Sequence, residues 1–156
     1  MNEKYPSRNY VIRALSAEEI PSLAGMMRDL AEHHNKVSVS FSGAYPVIPI
    51  DEQLKHAVKE VEKNTALVEA VFYKGGMMGF GKASYDGDYG EIDFLYLAKE
   101  LRGRGIGELL LNQLIDYLKE KAVKHIDLKV ILGNPAKRFY KRNGFVVRSE
   151  IMSLRL

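Results

Sequence analysis

Glu91-Ile92-Asp93-Phe94-Leu95-Tyr96-Leu97, followed four residues later by Arg102-Gly103-Arg104-Gly105-Ile106-Gly107, is the stretch on which the fold turns. The first segment is strand-like and becomes apolar toward its end. The second is rich in glycine, and after it Ile106, Leu109, Leu110, Leu114, Tyr117 and Leu118 recur at helical spacing, with Leu111 and Ile115 widening the apolar face. A helix from about Gly105 to Val123 packed on a sheet is the expectation. A strand that enters a helix through glycines presents unpaired N–H groups and the positive end of the helix dipole. Two arginines add charge, and the missing side chains let a diphosphate reach the backbone. A dinucleotide fingerprint starting at Gly103 would need a glycine where Glu108 stands, and a P-loop would need Gly-Lys-Ser/Thr. What remains is Arg-x-x-Gly-x-Gly at 102, 105 and 107.

Upstream, Ala66 to Tyr73, Met77 to Tyr85 and Glu91 to Leu97 read as strands joined by Lys74-Gly75-Gly76 and Asp86-Gly87-Asp88, an antiparallel meander with hairpin turns. Tyr10 to Ala14 reads as a first strand. Ser16 and Glu19 form a capping box before Ile20, Leu23, Met27 and Leu30, with Pro21 confined to the first turns. Val37 to Pro49 is a loop of the kind that covers ligand sites, and Asp51 to Glu62 is a second helix. Downstream, Ile126 to Ile131 is a strand and Pro135 to Arg142 a helix beginning at Asn134. Gly144 is a stop signal, and Phe145 to Leu156 supplies one or two closing strands. The expected fold is therefore α/β: a mixed, mostly antiparallel central sheet of six to seven strands, flanked by about four helices, in one domain spanning 1–156.

Composition agrees with a single core: 156 residues, 46% hydrophobic and 28% charged. With no cysteine, a cysteine nucleophile, a cysteine zinc site and a disulfide framework are excluded, and a reducing cytoplasmic location fits. Met1 to Tyr10 is polar, unlike a signal peptide, and no apolar run suits a membrane span. His33, His34, His56 and His125 lack ligand spacing, so no metal is expected. The net charge is a modest +3, and many of the basic residues fall late, at Arg102, Arg104, Lys137, Arg138, Lys141 and Arg142. That suits an anionic ligand on one side, but no motif or aromatic-basic platform supports nucleic-acid binding.

The loop at 102–107 resembles the coenzyme A loop of the GNAT superfamily of N-acyltransferases. Glu91 to Leu97 resembles the family's fourth strand. Asn134, Ala136-Lys137-Arg138-Phe139-Tyr140 and Gly144-Phe145 resemble its Asn, Ala-x-x-Phe-Tyr and Gly-Phe signature. The resemblance runs in order from about Glu91 to Phe145, whereas residues 1 to 65 match only in their strand, helix, helix pattern. It implies an acetyl-CoA-dependent N-acetyltransferase that moves an acetyl group to a primary amine, on a small molecule or a protein, by direct attack in a ternary complex. An acyl-CoA sensor without catalysis is the alternative.

By the same resemblance, Leu95, Tyr96 and Leu97 lend backbone to the pantetheine arm, with the Leu97 amide on the thioester carbonyl. Arg102, Gly103, Arg104, Gly105, Ile106, Gly107 and Lys137 hold the pyrophosphate side, and Asn134 bonds the arm or caps its helix. An ammonium acceptor must first lose a proton, and the leaving thiolate must gain one. Tyr140 is the candidate acid and Glu91 the first candidate base. Asp93, on the same face by alternation unless a bulge intervenes, and a water chain are the other candidates for the base. With Asp86 and Asp88, these carboxylates suit a cationic amine. The closing strands could pair across a homodimer.

Overall fold

The computed structural model describes residues 9–156, so the N-terminal stretch read against a signal peptide lies, up to Arg8, outside the described residues. The elements are β1 (Tyr10–Ala14), α1 (Ala24–Val37), α2 (Ile50–Glu62), β2 (Ala66–Tyr73), β3 (Gly76–Asp86), β4 (Tyr89–Leu97), α3 (Ile106–Glu120), β5 (His125–Leu128) and α4 (Ala136–Arg142). Short 3-10 turns at Ile20–Leu23 and Lys99–Leu101 precede α1 and the glycine loop. The sheet order is β1-β2-β3-β4-β5, antiparallel throughout except for the parallel pair β4–β5.

Local chemistry accounts for most of these boundaries. Lys74 and Gly75 both take positive φ, at 50° and 80°, as a tight hairpin turn whose twist matches its strands requires. Glu19 reaches back to accept the Ser16 N–H at 2.9 Å, half of the expected capping box, but the turn it opens is 3-10, with Pro21 at its start, before α1 takes over. Helix α3 buries Leu110, Leu111, Leu114 and Leu118 completely on one face of the sheet. The glycines beneath it are a packing requirement: a Cβ at Gly81 would lie 2.7 Å from Leu114 Cδ1. On the opposite face Ile20, Leu23, Met27, Leu30, Leu54 and Ala57 cover Val68, Ala70 and Phe80. Two helical layers thus enclose the sheet. No described helix is long and apolar enough to cross a membrane.

Three expectations need correction. The sheet has five strands among the described residues, not six to seven, because 145–156 forms none. That segment is tied by side chains instead: Arg148 pairs with Asp127 of β5, and Arg155 donates to the Ser42 carbonyl at 3.2 Å. Its apolar Val146, Ile151, Met152 and Leu154 lie exposed. Second, β5 ends at Leu128 rather than Ile131, where its partner strand changes course. Third, α3 closes at Glu120 rather than Val123, with Ala122 at φ 58° ending the turn.

Candidate functional site

The site is organised by β4. Its first part, Tyr89 to Ile92, is paired on both sides, with β3 and, in register His125 to Leu128, with β5. Beyond Ile92 the pairing is with β3 alone, from Phe94↔Lys82 to Leu97↔Gly79. The β3–β4 register shifts where Lys82 opposes Phe94 and Ala83 opposes Ile92, so Asp93 is an extra residue in a β-bulge. The bulge changes which side chains face which layer. Gly90 and Ile92 face α3 before it and Leu95 and Leu97 after it, leaving Phe94 and Tyr96 to pack with the α1–α2 layer. The Ala98 N–H donates to the Met78 carbonyl at 2.7 Å. Counting back along an antiparallel ladder, Tyr96 and Phe94 bond β3, while the N–H and C=O groups of Leu95 and Leu97 point to the open side. There Arg102 Nε donates to the Leu97 carbonyl at 2.9 Å.

The glycine loop meets this open end. Buried Leu101 anchors it, and Gly103 and Gly105 take φ of 74° and 79°, a backbone that disfavours any side chain. Gly105 is the N-cap of α3, without a side-chain cap, and the helix ladder begins with Leu109 N–H on the Gly105 carbonyl at 3.2 Å. The N–H groups of Ile106, Gly107 and Glu108 therefore have no helical acceptor. A Cβ at Gly107 would lie 3.3 Å from Leu97 Cδ1 and 3.9 Å from Phe139 Cζ, so helix start, strand end and α4 converge. Arg104 is exposed. Arg102, expected to face the ligand, also braces the loop, its guanidinium 5.9 Å from the Tyr96 ring centre.

From α4 come the remaining candidates. Asn134 Oδ1 accepts the Ala136 N–H at 3.0 Å, and Lys137 is exposed one residue on. Tyr140 packs edge-to-face with Phe139 and Phe145, at 5.3 and 6.0 Å, in the cluster that includes Leu95. Burial pushes its phenol up to about 12, so it is protonated at neutral pH. The sequence reading missed His33 of α1, which reaches this side. Burial and the neighbouring Arg102 lower its pKa, and a hydrogen bond with Asn134 opposes them. Its separation in sequence from both partners hides that contact. The loop below α4 touches α1 through Gly133, whose φ is 101° and whose added Cβ would lie 2.2 Å from the Val37 carbonyl oxygen.

The carboxylates separate at the bulge. Glu91, in the doubly paired part of β4, has a side chain 30% exposed, with Oε1 3.9 Å from Lys129 Nζ. Asp93 turns inward, accepting the Ser84 hydroxyl at 2.7 Å and lying 3.7 Å from Lys82 Nζ. Its pKa rises to about 6. Burial is the main cause, opposed by Lys82 and the Ser84 hydrogen bond and reinforced by the like charges of Glu91 and Glu60. Lys82 itself is only 4% exposed and is held by Glu60 Oε1 at 2.5 Å. Neither Lys82 nor Glu60 was singled out from sequence, although a lysine amid Gly79-Phe80-Gly81 and Ala83 was the available signal. Asp88 is occupied locally, 3.0 Å from Lys124. Among the described residues no three His, Asp or Glu side chains group as metal ligands.

Comparison with known proteins agrees on the architecture. A family model described as the Acetyltransferase (GNAT) family matches residues 29–145. An uncharacterized N-acetyltransferase of Methanocaldococcus jannaschii is 41% identical over 56 residues, 35% of this chain and 25% of that protein, so the match spans only about a quarter of the relative's length. The PaiA N-acetyltransferase of Thermoplasma acidophilum, solved in complex with coenzyme A, superposes with a TM-score of 0.74 at 23% identity, over 91% of this chain and 92% of its own. A predicted acetyltransferase of Clostridium acetobutylicum, solved with acetyl-CoA, gives 0.74 at 20% identity over 94% and 96% of the two chains. At these identities the superpositions establish the shared fold.

Proposed function

The chain belongs to the acetyltransferase (GNAT) family, and from that premise we propose that it moves an acetyl group from acetyl-CoA to a primary amine by direct attack in a ternary complex. One observation carries this reading: the open end of β4 lies against the uncapped N-terminus of α3, a free strand edge beside a cluster of unpartnered amides. The two similar structures solved with coenzyme A and acetyl-CoA support the choice of donor.

In this reading the outward backbone groups of Leu95 pair with the pantetheine arm along the free edge, while the Leu97 carbonyl stays with Arg102 and its N–H faces the thioester. The amides of Ile106, Gly107 and Glu108 take the pyrophosphate, helped by the backbone at Gly103 and Gly105 and the charges of Arg102, Arg104 and Lys137. The Asn134 amide, anchored through its capping oxygen, bonds the arm. The Leu97 N–H stabilises the oxyanion that develops as the amine nitrogen bonds to the acetyl carbon. When the C–S bond breaks, Tyr140 protonates the departing thiolate and is reprotonated from solvent.

Asp93 is the base we assign. It is inward-facing, its pKa of about 6 lies near neutrality, and it can take the proton that an arriving ammonium must shed. Glu91 then contributes charge near the acceptor's approach. The acceptor is a cationic amine on a small molecule or a protein.

The test is coenzyme A release from acetyl-CoA with a panel of polyamines, aminoglycosides and lysine peptides, products being identified by mass spectrometry. N-acetylated product is the expected result. Tight acetyl-CoA binding with no turnover across the panel would favour a sensor.

A further inference from the structure

Glu60 and Lys82, which meet Asp93 in a largely buried contact, have no part in the chemistry above. The contact joins three elements: Glu60 from α2, Lys82 from β3 and Asp93 from the bulge of β4. Lys82 Nζ is 2.5 Å from Glu60 Oε1 but 3.7 Å from Asp93 Oδ2, so the ammonium is committed to α2 and only partly to the bulge. Asp93 is faced from β3 by Lys82 and Ser84, along β4 by Glu91, and from α2 by Glu60, whose Oε1 also takes His56 Nε2 at 3.0 Å.

We propose that Lys82 sets the proton affinity of Asp93, and that Glu60 sets how much of the Lys82 charge Asp93 feels. This rests on the reading of Asp93 as the base, and Lys82 and Glu60 are then positioning residues. The physical case is one of competing distances. In a poorly solvated site a cation stabilises the nearer carboxylate, and a second carboxylate sharing it is left partly uncompensated. Asp93 is the one left short. Its ionised form is therefore neither fully neutralised nor abandoned, the condition under which a carboxylate both accepts a proton near neutral pH and releases it again. The arrangement also selects substrate charge. With Asp93 ionised, the group holds two carboxylates against one ammonium, and an arriving ammonium supplies the missing positive charge.

Removing either partner moves Asp93 in a direction that identifies the device. Lys82→Met deletes the compensating cation, and the Asp93 pKa should rise by roughly one to three units. Glu60→Gln deletes a repelling charge and frees Lys82 to approach, so the Asp93 pKa should fall. The primary readout is a 13C NMR titration of the Asp93 carboxyl in the full chain, which needs no acceptor. The acidic limb of the pH-rate profile, with an amine that supports turnover, should follow in the same two directions. A purely structural role for the triad lowers stability in both variants without opposite shifts. If Lys82→Met does not fold, the double variant Lys82→Met/Glu60→Gln removes the pair together. Its Asp93 pKa should lie above that of the parent protein, because Lys82 outweighs Glu60 among the influences on Asp93. An Asp93 titration unmoved across the variants overturns the proposal. An Asp93→Asn variant that keeps the acidic limb overturns the base assignment alone, because the carboxyl titrations of the other variants stand independently of it.

Discussion

The two halves of β4 share a strand and little else. Tyr89 to Ile92 is held between β3 and β5, with Glu91 at the margin and Gly90 and Ile92 under α3. Phe94 to Leu97 is held by β3 alone, with its other edge toward the glycine loop. Asp93 stands where one regime becomes the other. The first half is a sheet whose backbone bonds are satisfied, and in the second the outward groups of Leu95 and the Leu97 N–H meet no neighbouring strand, the Leu97 carbonyl being taken by Arg102. The single inserted residue leaves Asp93 and Phe94 both turned toward the α1–α2 layer. The proposed donor site and the proposed base are thus products of the same irregularity.

The sharpest way to break this comparison is to neutralise the two carboxylates separately. Asp93→Asn should lower kcat by about 10²-fold or more and abolish the acidic limb near pH 6, as expected on losing a general base. Glu91→Gln should leave that limb in place. The reverse outcome would return the base to the doubly paired half. Stability supplies an independent readout. A carboxyl whose folded pKa is raised binds its proton more tightly in the native state, so its contribution is most favourable below the unfolded value and is lost as pH rises through about 6. Asp93→Asn should therefore increase stability by roughly 1–3 kcal/mol at pH 7.5, with little effect at pH 4, in urea unfolding at the two pH values.

A second class of change tests the open half. A Cβ at Gly79 would lie 2.8 Å from the Tyr96 carbonyl oxygen and 2.6 Å from Leu97 Cδ2, so Gly79→Ala must push β3 and β4 apart at the free edge. The expected cost is about 1–3 kcal/mol, with weaker acetyl-CoA binding by calorimetry. Gly105→Ala meets no atom but must hold φ near 79°, a cost of about 1–2 kcal/mol. Equal acetyl-CoA affinity in both variants would separate the strand edge and helix start from donor binding. Tyr140→Phe should reduce kcat while leaving acetyl-CoA affinity near that of the parent chain, since the ring packing is retained.

Sequence made the open half more legible than the bulge. The glycine loop, the helix after it and the Asn134 to Phe145 signature are local patterns, readable because backbone conformation follows from nearby residues. Strand alternation placed Glu91 and Asp93 on one face but could not show which is buried. That depends on one residue of register against β3, and the β3 sequence does not announce the slip. The Glu60, Lys82 and Asp93 contact joins residues from three elements, and His33 meets Asn134 from the far end of the chain. Such contacts are tertiary facts. The missing closing strands reflect the converse: Phe145 to Leu156 has strand-forming residues, but its anchors are the side chains of Arg148 and Arg155.

The smallest expected effect tests whether the doubly paired half relies on that tail. Tyr89 donates its hydroxyl to Asp127 Oδ2 at 2.6 Å, and Arg148 pairs with the same carboxylate, so the outer edge of the β4–β5 pair is clasped by residues from three parts of the chain. The hydrogen bonds from Arg148 and Tyr89 lower the Asp127 pKa. Their stabilising contribution is therefore present above the unfolded carboxylate value and lost as pH falls through the lower folded one. Asp127 is only partly exposed, but Arg148 is 65% exposed, and solvent screening of its guanidinium keeps that contribution small. Arg148→Ala should accordingly lower Tm by no more than about 2–4 °C at neutral pH, with the difference shrinking below pH 3. A larger loss, accompanied by faster amide exchange at Ile126 and Leu128, would mean that the tail holds β5 in place and that the closed half of β4 depends on it.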